Sequence, residues 1–173
     1  MERVLITKRL RMEPIVRAHA ALMFELLRDE RLYRFHAGRP ATAEQLEQRF
    51  EAWSSRTSPD RTQTWLNYAL RMKASTSYVG WVQATIAGDV ATIGYDVFVP
   101  YWRQAYATEA CTKLIACLFH EHGVRRIAAV VDTENCASIR LLERLGFSKA
   151  WTGPSEDIPG RRDHRYELDK SAF

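Results

Sequence analysis

The fold of this chain is decided by one stretch, Trp102-Arg103-Gln104-Ala105-Tyr106-Ala107-Thr108-Glu109-Ala110. It follows an apolar run, Ile93 to Val99, that ends at Pro100, and it opens a segment whose apolar residues recur at steps of three and four. This pattern predicts a strand, a tight turn and an amphipathic helix, in that order. The helix is expected to bury Ala107, Ala110, Cys111, Leu114, Ile115, Leu118 and Phe119.

The turn between this strand and this helix is a candidate anion site. A turn of small residues that leads into a helix points unpaired backbone N–H groups at one spot, and the helix dipole adds partial positive charge there. Arg103 can add a full charge beside that spot. The stretch therefore predicts a site for a phosphate or a diphosphate.

A second strand is predicted after the helix. Gly123 is a plausible helix terminator, and the run from Ile127 to Val131 is continuously apolar, as in a strand that is covered on both faces. A strand, a crossover helix and another strand form a right-handed unit in which the two strands are parallel. Beyond it, the segment from Asn135 to Leu145 predicts a short helix that ends at Gly146.

The rest of the chain predicts an antiparallel meander with two helices inserted after its first strand. The helices are expected from Ala18 to Leu27 and after a capping box formed by Thr42 and Gln45. The further strands are expected at Val4 to Met12, Trp65 to Met72, Tyr78 to Ile86, Val90 to Val99, Phe147 to Trp151 and His164 to Leu168. These elements together predict a mixed α/β (α+β) sheet with helices on both faces.

Composition limits the functional class. The 173 residues, 46% apolar and 27% charged, predict a single domain, 1–173, with a real core. No apolar run approaches the roughly 20 residues that span a bilayer, so we expect no membrane partner and a cytoplasmic location. The net charge of +4 is scattered, which predicts no nucleic-acid partner. The three cysteines lack the spacing of a metal site, so no metal is expected.

Three pieces of the chain resemble the GCN5-related N-acetyltransferases (GNAT), in particular the branch like RimJ and RimL, the ribosomal-protein N-terminal acetyltransferases. These pieces are Ile93-Gly94-Tyr95, the turn from Trp102 to Ala107 with Thr108-Glu109-Ala110, and Asn135 with Ser138 leading into Leu145-Gly146-Phe147. The opening Thr7 to Pro14 also looks like that branch's first strand. The resemblance covers most of the chain. It implies the acyl-CoA N-acyltransferase fold, a mostly antiparallel central sheet with one parallel, splayed strand pair.

The resemblance also implies an activity and a cofactor site. The reaction is direct transfer of an acetyl group from acetyl-CoA to a primary amine. The pantetheine arm is expected to pair with the splayed strand as an added strand would, and the turn is expected to hold the diphosphate. The implied coenzyme-binding residues are Val97, Phe98, Val99, Arg103, Gln104, Ala105, Tyr106, Ala107, Thr108, Asn135 and Ser138. The family usually has glycine where Ala105 stands, and a positive φ would be costly for alanine.

Asp96 is the first candidate for the catalytic base. Acetyl transfer requires a neutral amine, and a nearby carboxylate helps to remove the proton. Alternation puts Thr92, Gly94, Asp96 and Phe98 on one face of the strand, where Asp96 is the only carboxylate. A solvated surface aspartate fits the pattern as well. Many relatives carry glutamate at the Thr92 position, and Asp132 and Glu134 are secondary candidates.

Ser138 and Asn135 are the candidates on the coenzyme side. By resemblance to the RimL-like branch, Ser138 protonates the departing thiolate, because the tyrosine that many relatives use one turn later is Leu142 here. Asn135 would orient the pantetheine or a water molecule, and the backbone N–H near Val97 would stabilise an oxyanion. A simpler alternative is that Asn135 and Ser138 only cap a helix. Glu109, in the first turn of its helix, is expected to be structural.

The acceptor amine is the least determined part of the prediction. By resemblance it enters between two loops, Arg31 to Pro40 and Gly153 to Arg162, whose arginines hint at a carboxylate or phosphate on the acceptor. Three functions remain open. The acceptor can be a protein N-terminus, or a small amine such as an amino acid, a polyamine, an antibiotic or a toxin. The third alternative is a non-catalytic coenzyme-binding module. The chain is expected to be a monomer or a homodimer.

Overall fold

The computed structural model describes residues 3–38 and 42–173, so Arg39 and Pro40 of the predicted acceptor loop lie outside the described residues. Eight strands form one sheet, with bounds β1 Leu5–Ile6, β2 Leu10–Pro14, β3 Thr64–Met72, β4 Tyr78–Ala87, β5 Val90–Val97, β6 Arg126–Asp132, β7 Ser148–Pro154 and β8 Arg162–Asp169. The α-helices are α1 His19–Leu27, α2 Ala43–Ser54, α3 Tyr106–Glu121 and α4 Cys136–Arg144. Short 3-10 helices cover Glu30–Tyr33, Val99–Tyr101 and Lys170–Ala172.

The strand order confirms the predicted mixed sheet. Neighbouring strands follow the order β1-β2-β3-β4-β5-β6-β8-β7, and β5 and β6 are parallel whereas the other neighbours are antiparallel. The parallel pairing runs only from Val90 opposite Arg126 to Thr92 opposite Ala128. Because both strands continue beyond those residues, they diverge toward their carboxyl ends. This divergence opens a slot in the middle of the sheet.

The prediction of one first strand from Val4 to Met12 is wrong. The chain reverses there, so that β1 and β2 pair antiparallel with Leu5 opposite Met12. The Thr7 backbone N–H donates to the Leu10 carbonyl at 3.0 Å and closes the turn. Glu109 binds the same turn from α3, a contact between residues far apart in sequence that no local pattern reports.

Helices cover both faces of the sheet, as predicted. On one face α3 packs its apolar stripe into the larger core, which includes Leu114 and Phe119. Ala107, expected in that stripe, is only partly buried, whereas Tyr106 and Cys117 are buried. On the other face α1 and α2 enclose a smaller core around Met23, Leu46, Phe50 and Phe98.

The start of α2 follows the predicted cap. Thr42 Oγ1 accepts a hydrogen bond from the Gln45 backbone N–H at 3.1 Å, which satisfies one of the unpaired donors of the first turn. Across residues 3–38 and 42–173, no helix combines the length and the hydropathy that crossing a bilayer requires.

Candidate active site

In the turn before α3, residues with a positive φ alternate with residues that have a negative φ. Arg103 and Ala105 both have a φ of 60°, and Ala105 lies in the left-handed helical region with ψ at 19°. Gln104, between them, has no positive φ. Such alternation directs successive backbone N–H groups toward one concavity that binds anions. The sequence predicted a glycine-like position at Ala105 and missed that Arg103 occupies another.

The donors of this turn remain available for a ligand. Among the described residues, none accepts a hydrogen bond from the backbone N–H groups of Gln104 to Thr108, and the first acceptor in use is the Ala105 carbonyl, which binds the N–H of Glu109 at 3.1 Å. Ala105, as the residue before the helix, has no side chain that could cap it. The concavity therefore fits a diphosphate by its donor set and by the helix dipole behind it.

Side chains from two neighbouring elements hold this turn in place. Arg9 lies over the ring of Tyr106, with its guanidinium carbon 4.3 Å from the ring centroid. The Trp102 indole N–H donates to the Val97 carbonyl at 2.5 Å. The turn is thus attached both to the β1–β2 connection and to the end of β5.

Some backbone groups at the end of β5 already form hydrogen bonds within the chain. The Phe98 N–H donates to the Val79 carbonyl at 2.8 Å, and the Phe98 carbonyl accepts from Tyr101 at 2.8 Å. The Val99 carbonyl accepts from the Trp102 N–H at 3.3 Å. Of the three residues expected to pair with pantetheine, Phe98 therefore has both backbone groups bonded internally.

The two faces of β5 carry different chemistry at the slot. Asp96 lies directly opposite Trp81 of β4, so the two side chains project from the same face, toward α1 and α2. Trp81 packs on Trp53, with ring centroids 5.3 Å apart. Tyr95 projects from the opposite face and packs against the core beneath α3. Strand alternation thus separates a carboxylate from a phenol across the sheet.

Asp96 has a histidine partner that the sequence did not predict. His36 Nε2 lies 3.4 Å from Asp96 Oδ1. The Asp96 carboxylate raises the pKa of the His36 imidazole; burial opposes the rise, while the Leu32 carbonyl and the Asp157 charge add to it. The contact brings the first acceptor loop onto the face of the slot that carries the candidate base.

Asn135 caps α4, as the simpler alternative predicted. Its Oδ1 accepts from the Ser138 backbone N–H at 3.2 Å. The Ser138 hydroxyl makes no hydrogen bond to any described residue, so it is open to a ligand. The Tyr95 phenol approaches the Ser138 carbonyl at 3.5 Å. Burial raises the pKa of this phenol, so Tyr95 stays protonated.

The secondary base candidates lie at the end of β6. Asp132 is 4% exposed, and its carboxylate accepts from Arg161 at 2.7 Å and from the Glu134 N–H at 2.8 Å. Its hydrogen-bonding capacity is largely used in holding the loop before β8. Glu134 is exposed. Asp132 is thus bound within the chain, whereas Asp96 lies at the slot.

Two of the four described arginines in the acceptor loops, Arg31 and Arg161, bind aspartates. Arg31 binds Asp29 through both nitrogens, at 2.9 and 2.6 Å. Arg161 binds Asp132, and its guanidinium carbon is 5.8 Å from the Phe35 ring centroid, which joins the two loops. Neutralised arginines weaken the hint that the acceptor is an anion.

Two residues at the slot, Tyr95 and His36, were not among the site residues predicted from sequence. Alternation along the strand could have found Tyr95, since it must face away from Asp96. His36 carried no local signal, because only the folded loop brings it to β5. Among the described residues, no group of three or more potential metal ligands occurs.

Comparisons with known proteins agree with this geometry. A model of the acetyltransferase (GNAT) domain matches residues 9–148. The uncharacterized N-acetyltransferase YoaA of Bacillus subtilis (strain 168) is 44% identical over 59 residues, which are 34% of this chain and 33% of YoaA, so the match spans about a third of that relative's length.

Solved structures share the fold at low identity. An acetyltransferase of the GNAT family from Bacillus anthracis superposes with a TM-score of 0.81 at 20% identity, covering 98% of this chain and 99% of its own. RimL, a ribosomal L7/L12 alpha-N-protein acetyltransferase in complex with coenzyme A, superposes with a TM-score of 0.86 at 13% identity. The superposition covers 99% of this chain and 100% of the RimL chain. The family model matches most of the chain, and the turn at Arg103 and Ala105 and the splayed parallel pair agree with it. We conclude that this chain belongs to the GNAT acetyltransferase family.

Proposed function

We propose that this chain is an acetyl-CoA-dependent N-acetyltransferase that transfers acetyl directly to a primary amine and acts as a single domain. The observation that carries the proposal is the left-handed turn at Arg103 and Ala105, which follows β5 where β5 and β6 diverge. The turn offers donors for a diphosphate, and the divergence offers an opening for the pantetheine arm. Family membership supports the same reaction.

The coenzyme would be held by backbone groups. The proposed diphosphate ligands are the N–H groups of Arg103, Gln104, Ala105, Tyr106, Ala107 and Thr108. Val97 and Val99 are the proposed backbone partners of pantetheine, and Phe98, whose own backbone groups are bonded internally, fixes the shape of the strand end. When bound, the coenzyme supplies the activated acetyl thioester.

The two faces of the slot would serve the two halves of the reaction. Asp96 faces α1 and α2, where it attracts the ammonium form of the acceptor and assists removal of its proton. Ser138 lies at the start of α4 on the other face, where its free hydroxyl can donate a proton to the departing thiolate. Asn135 holds the Ser138 segment in place by capping the helix.

The acceptor we propose is the α-amino group of a protein. RimL, which has the same fold, is a ribosomal L7/L12 alpha-N-protein acetyltransferase. An α-amino group has a pKa of about 8, so roughly a tenth is neutral at pH 7 and a weak base suffices to activate it. The carboxylate of Asp96 beside the Trp81 ring suits such a cation, because both attract an ammonium group.

A small amine is the second candidate acceptor. The Phe35 ring and the Arg161 guanidinium approach each other across the acceptor face, which narrows the opening between the loops. A narrow opening admits a free amine more readily than a folded protein end. This contact is the observation that favours a small acceptor.

Release of free thiol from acetyl-CoA distinguishes these functions. The purified chain is assayed with peptides that have a free N-terminus, the same peptides blocked by N-acetylation, and a panel of amino acids and polyamines. We expect turnover with free peptides and none with their blocked counterparts. Turnover with small amines alone would support the second candidate. Coenzyme binding without turnover on any amine would contradict the proposal and leave a coenzyme-binding module.

A further inference from the structure

The pairing of His36 with Asp96 joins a loop residue to the slot of the sheet. His36 lies in the connection between the 3-10 helix Glu30–Tyr33 and α2, whereas Asp96 is in β5. His36 Nε2 and Asp96 Oδ1 are 3.4 Å apart, and the side chains are 39% and 18% exposed. Both side chains are therefore partly shielded from water, and the rest of their surface is open to a ligand.

The Nε2 atom of His36 has no good hydrogen bond. It is a buried atom that finds no partner of hydrogen-bond geometry among the described residues. The Asp96 carboxylate lies near it at ion-pair distance. A buried ring nitrogen without a partner is costly. When the ring is neutral, this nitrogen can accept a hydrogen bond from a donor, such as an ammonium group, that also contacts the carboxylate.

We propose that His36 and Asp96 act together on the acceptor amine: the Asp96 carboxylate binds its ammonium group, and His36 Nε2 removes its proton. This inference rests on the proposed function and specifies its base. In the step, the N–H bond of the amine breaks and its proton passes to Nε2. The freed electron pair forms the bond to the acetyl carbon as the C–S bond breaks. The thiolate that leaves takes up a proton from Ser138 or water.

The surroundings of His36 suit this role. The charged groups that face it are Asp96 on β5 and Asp157 in the loop before β8, and the Tyr33 ring makes an edge contact at 5.3 Å between centroids. Arg161 is next to the neighbouring Phe35 ring. The Asp96 carboxylate raises the pKa of His36 above its ordinary value, burial opposes the rise, and the charge of Asp157 adds to it.

The pairing also links binding of the amine to release of a proton from His36. When His36 is protonated in the free protein, its imidazolium neutralises Asp96. An incoming ammonium group takes over the carboxylate, so the imidazolium loses its partner and releases its proton to solvent. The neutral ring is then ready to accept a proton from the amine. Acceptor affinity is therefore expected to rise with pH across the range in which His36 titrates.

Histidine NMR titration of the full chain tests the pair without relying on turnover. The His36 signal, assigned with His36→Gln, should titrate above its ordinary pKa in the wild type and shift toward it in Asp96→Asn. A saturating peptide amine, added together with coenzyme A in place of acetyl-CoA, cannot be acetylated. Its binding should lower the pKa of His36 in the wild type. If neither Asp96→Asn nor the bound amine changes the pKa of His36, the inference is overturned.

Kinetics separate this inference from the proposed function. His36→Gln should lower kcat about 100-fold or more, with coenzyme affinity unchanged, and should remove the pH dependence assigned to His36. His120→Gln, an exposed histidine on α3, is the matched control and should behave like the wild type. Wild-type kcat with an unchanged pH profile in His36→Gln would overturn the inference alone. Absence of acetyl transfer in the wild type would overturn both.

Discussion

Glu109 Oε1 lies 2.7 Å from the backbone nitrogen of Arg9, which ties the first turn of α3 to the connection between β1 and β2. The same oxygen accepts from the Thr7 hydroxyl, and Oε2 accepts from Arg9 Nε, both at 2.6 Å. The carboxylate is only 17% exposed. Three donors that converge on a mostly buried acceptor anchor the helix that begins at the coenzyme turn.

Replacing Glu109 should destabilise the fold. Glu109→Gln keeps the size of the side chain but turns an amide group toward donors, so we expect the free energy of unfolding to fall by about 1–3 kcal/mol. Glu121→Gln, on the same helix with a surface partner in Arg3, is the control and should change it by about 0.5 kcal/mol or less. Denaturant unfolding measures both. Equal effects would contradict the anchoring role.

Glu109 should also contribute to acid unfolding. Burial alone would raise its pKa, but hydrogen bonds from Thr7 and Arg9, with the charge of Arg9, hold the pKa below the ordinary 4.5. Because the folded pKa is depressed, this stabilisation is present above pH 4.5 and is lost as pH falls through the folded value. Below pH 4.5 the wild type should therefore lose more stability per pH unit than Glu109→Gln. Parallel curves for the two proteins would exclude this contribution.

Ala105→Gly should stabilise the protein. Alanine at a φ of 60° pays for a conformation that glycine adopts freely, and the gain exceeds the added freedom of the unfolded chain. We expect the free energy of unfolding to rise by about 0.5–1 kcal/mol.

The same change should strengthen coenzyme binding several-fold, because the missing methyl group lets the ligand approach the backbone. Ala107→Gly, a right-handed position in the first turn of α3, is the matched control and should lower stability by about 0.5–1 kcal/mol. Thermal unfolding and calorimetry give the two quantities. If both variants lose stability, the left-handed strain at Ala105 has no energetic consequence.

Ser138→Ala should lower turnover about 100-fold while coenzyme affinity changes little, if the hydroxyl protonates the thiolate. Tyr95→Phe is the informative comparison, since the Tyr95 phenol reaches toward the Ser138 carbonyl from β5. A smaller loss in Tyr95→Phe than in Ser138→Ala supports Ser138 as the acid. The reverse order would transfer that role to Tyr95. Steady-state kinetics with a binding titration of each variant measures the split.

Local patterns predicted the elements whose burial is periodic. The stripe from Ala110 to Phe119 and the hairpin around Gly88 were recognisable because one face of each element is apolar and the turn is short. The turn before α3 was predicted from its small residues and its place before a helix, and its role as a diphosphate site stays a prediction. The resemblance to a family added the splayed strand pair, which the register of β5 and β6 confirms.

Contacts between distant residues could not be predicted in this way. The reversal at Thr7 depends on Glu109, and the environment of Asp96 depends on His36, which approaches from a loop without periodic pattern. The arginines of the acceptor loops suggested an anionic acceptor because the sequence does not show which carboxylates they bind in the folded chain. In the folded chain Arg31 and Arg161 already bind aspartates.

Titration of the purified chain with coenzyme A, followed by calorimetry and by backbone amide chemical shifts, tests most directly whether the turn at Arg103 and Ala105 grips the diphosphate. Pantetheine, which lacks the diphosphate, is the matched ligand. We expect saturable heat with coenzyme A, much weaker binding of pantetheine, and the largest shifts at the amides of Gln104 to Thr108. No saturable heat at millimolar coenzyme A, or shifts centred on other residues, would contradict the proposed site.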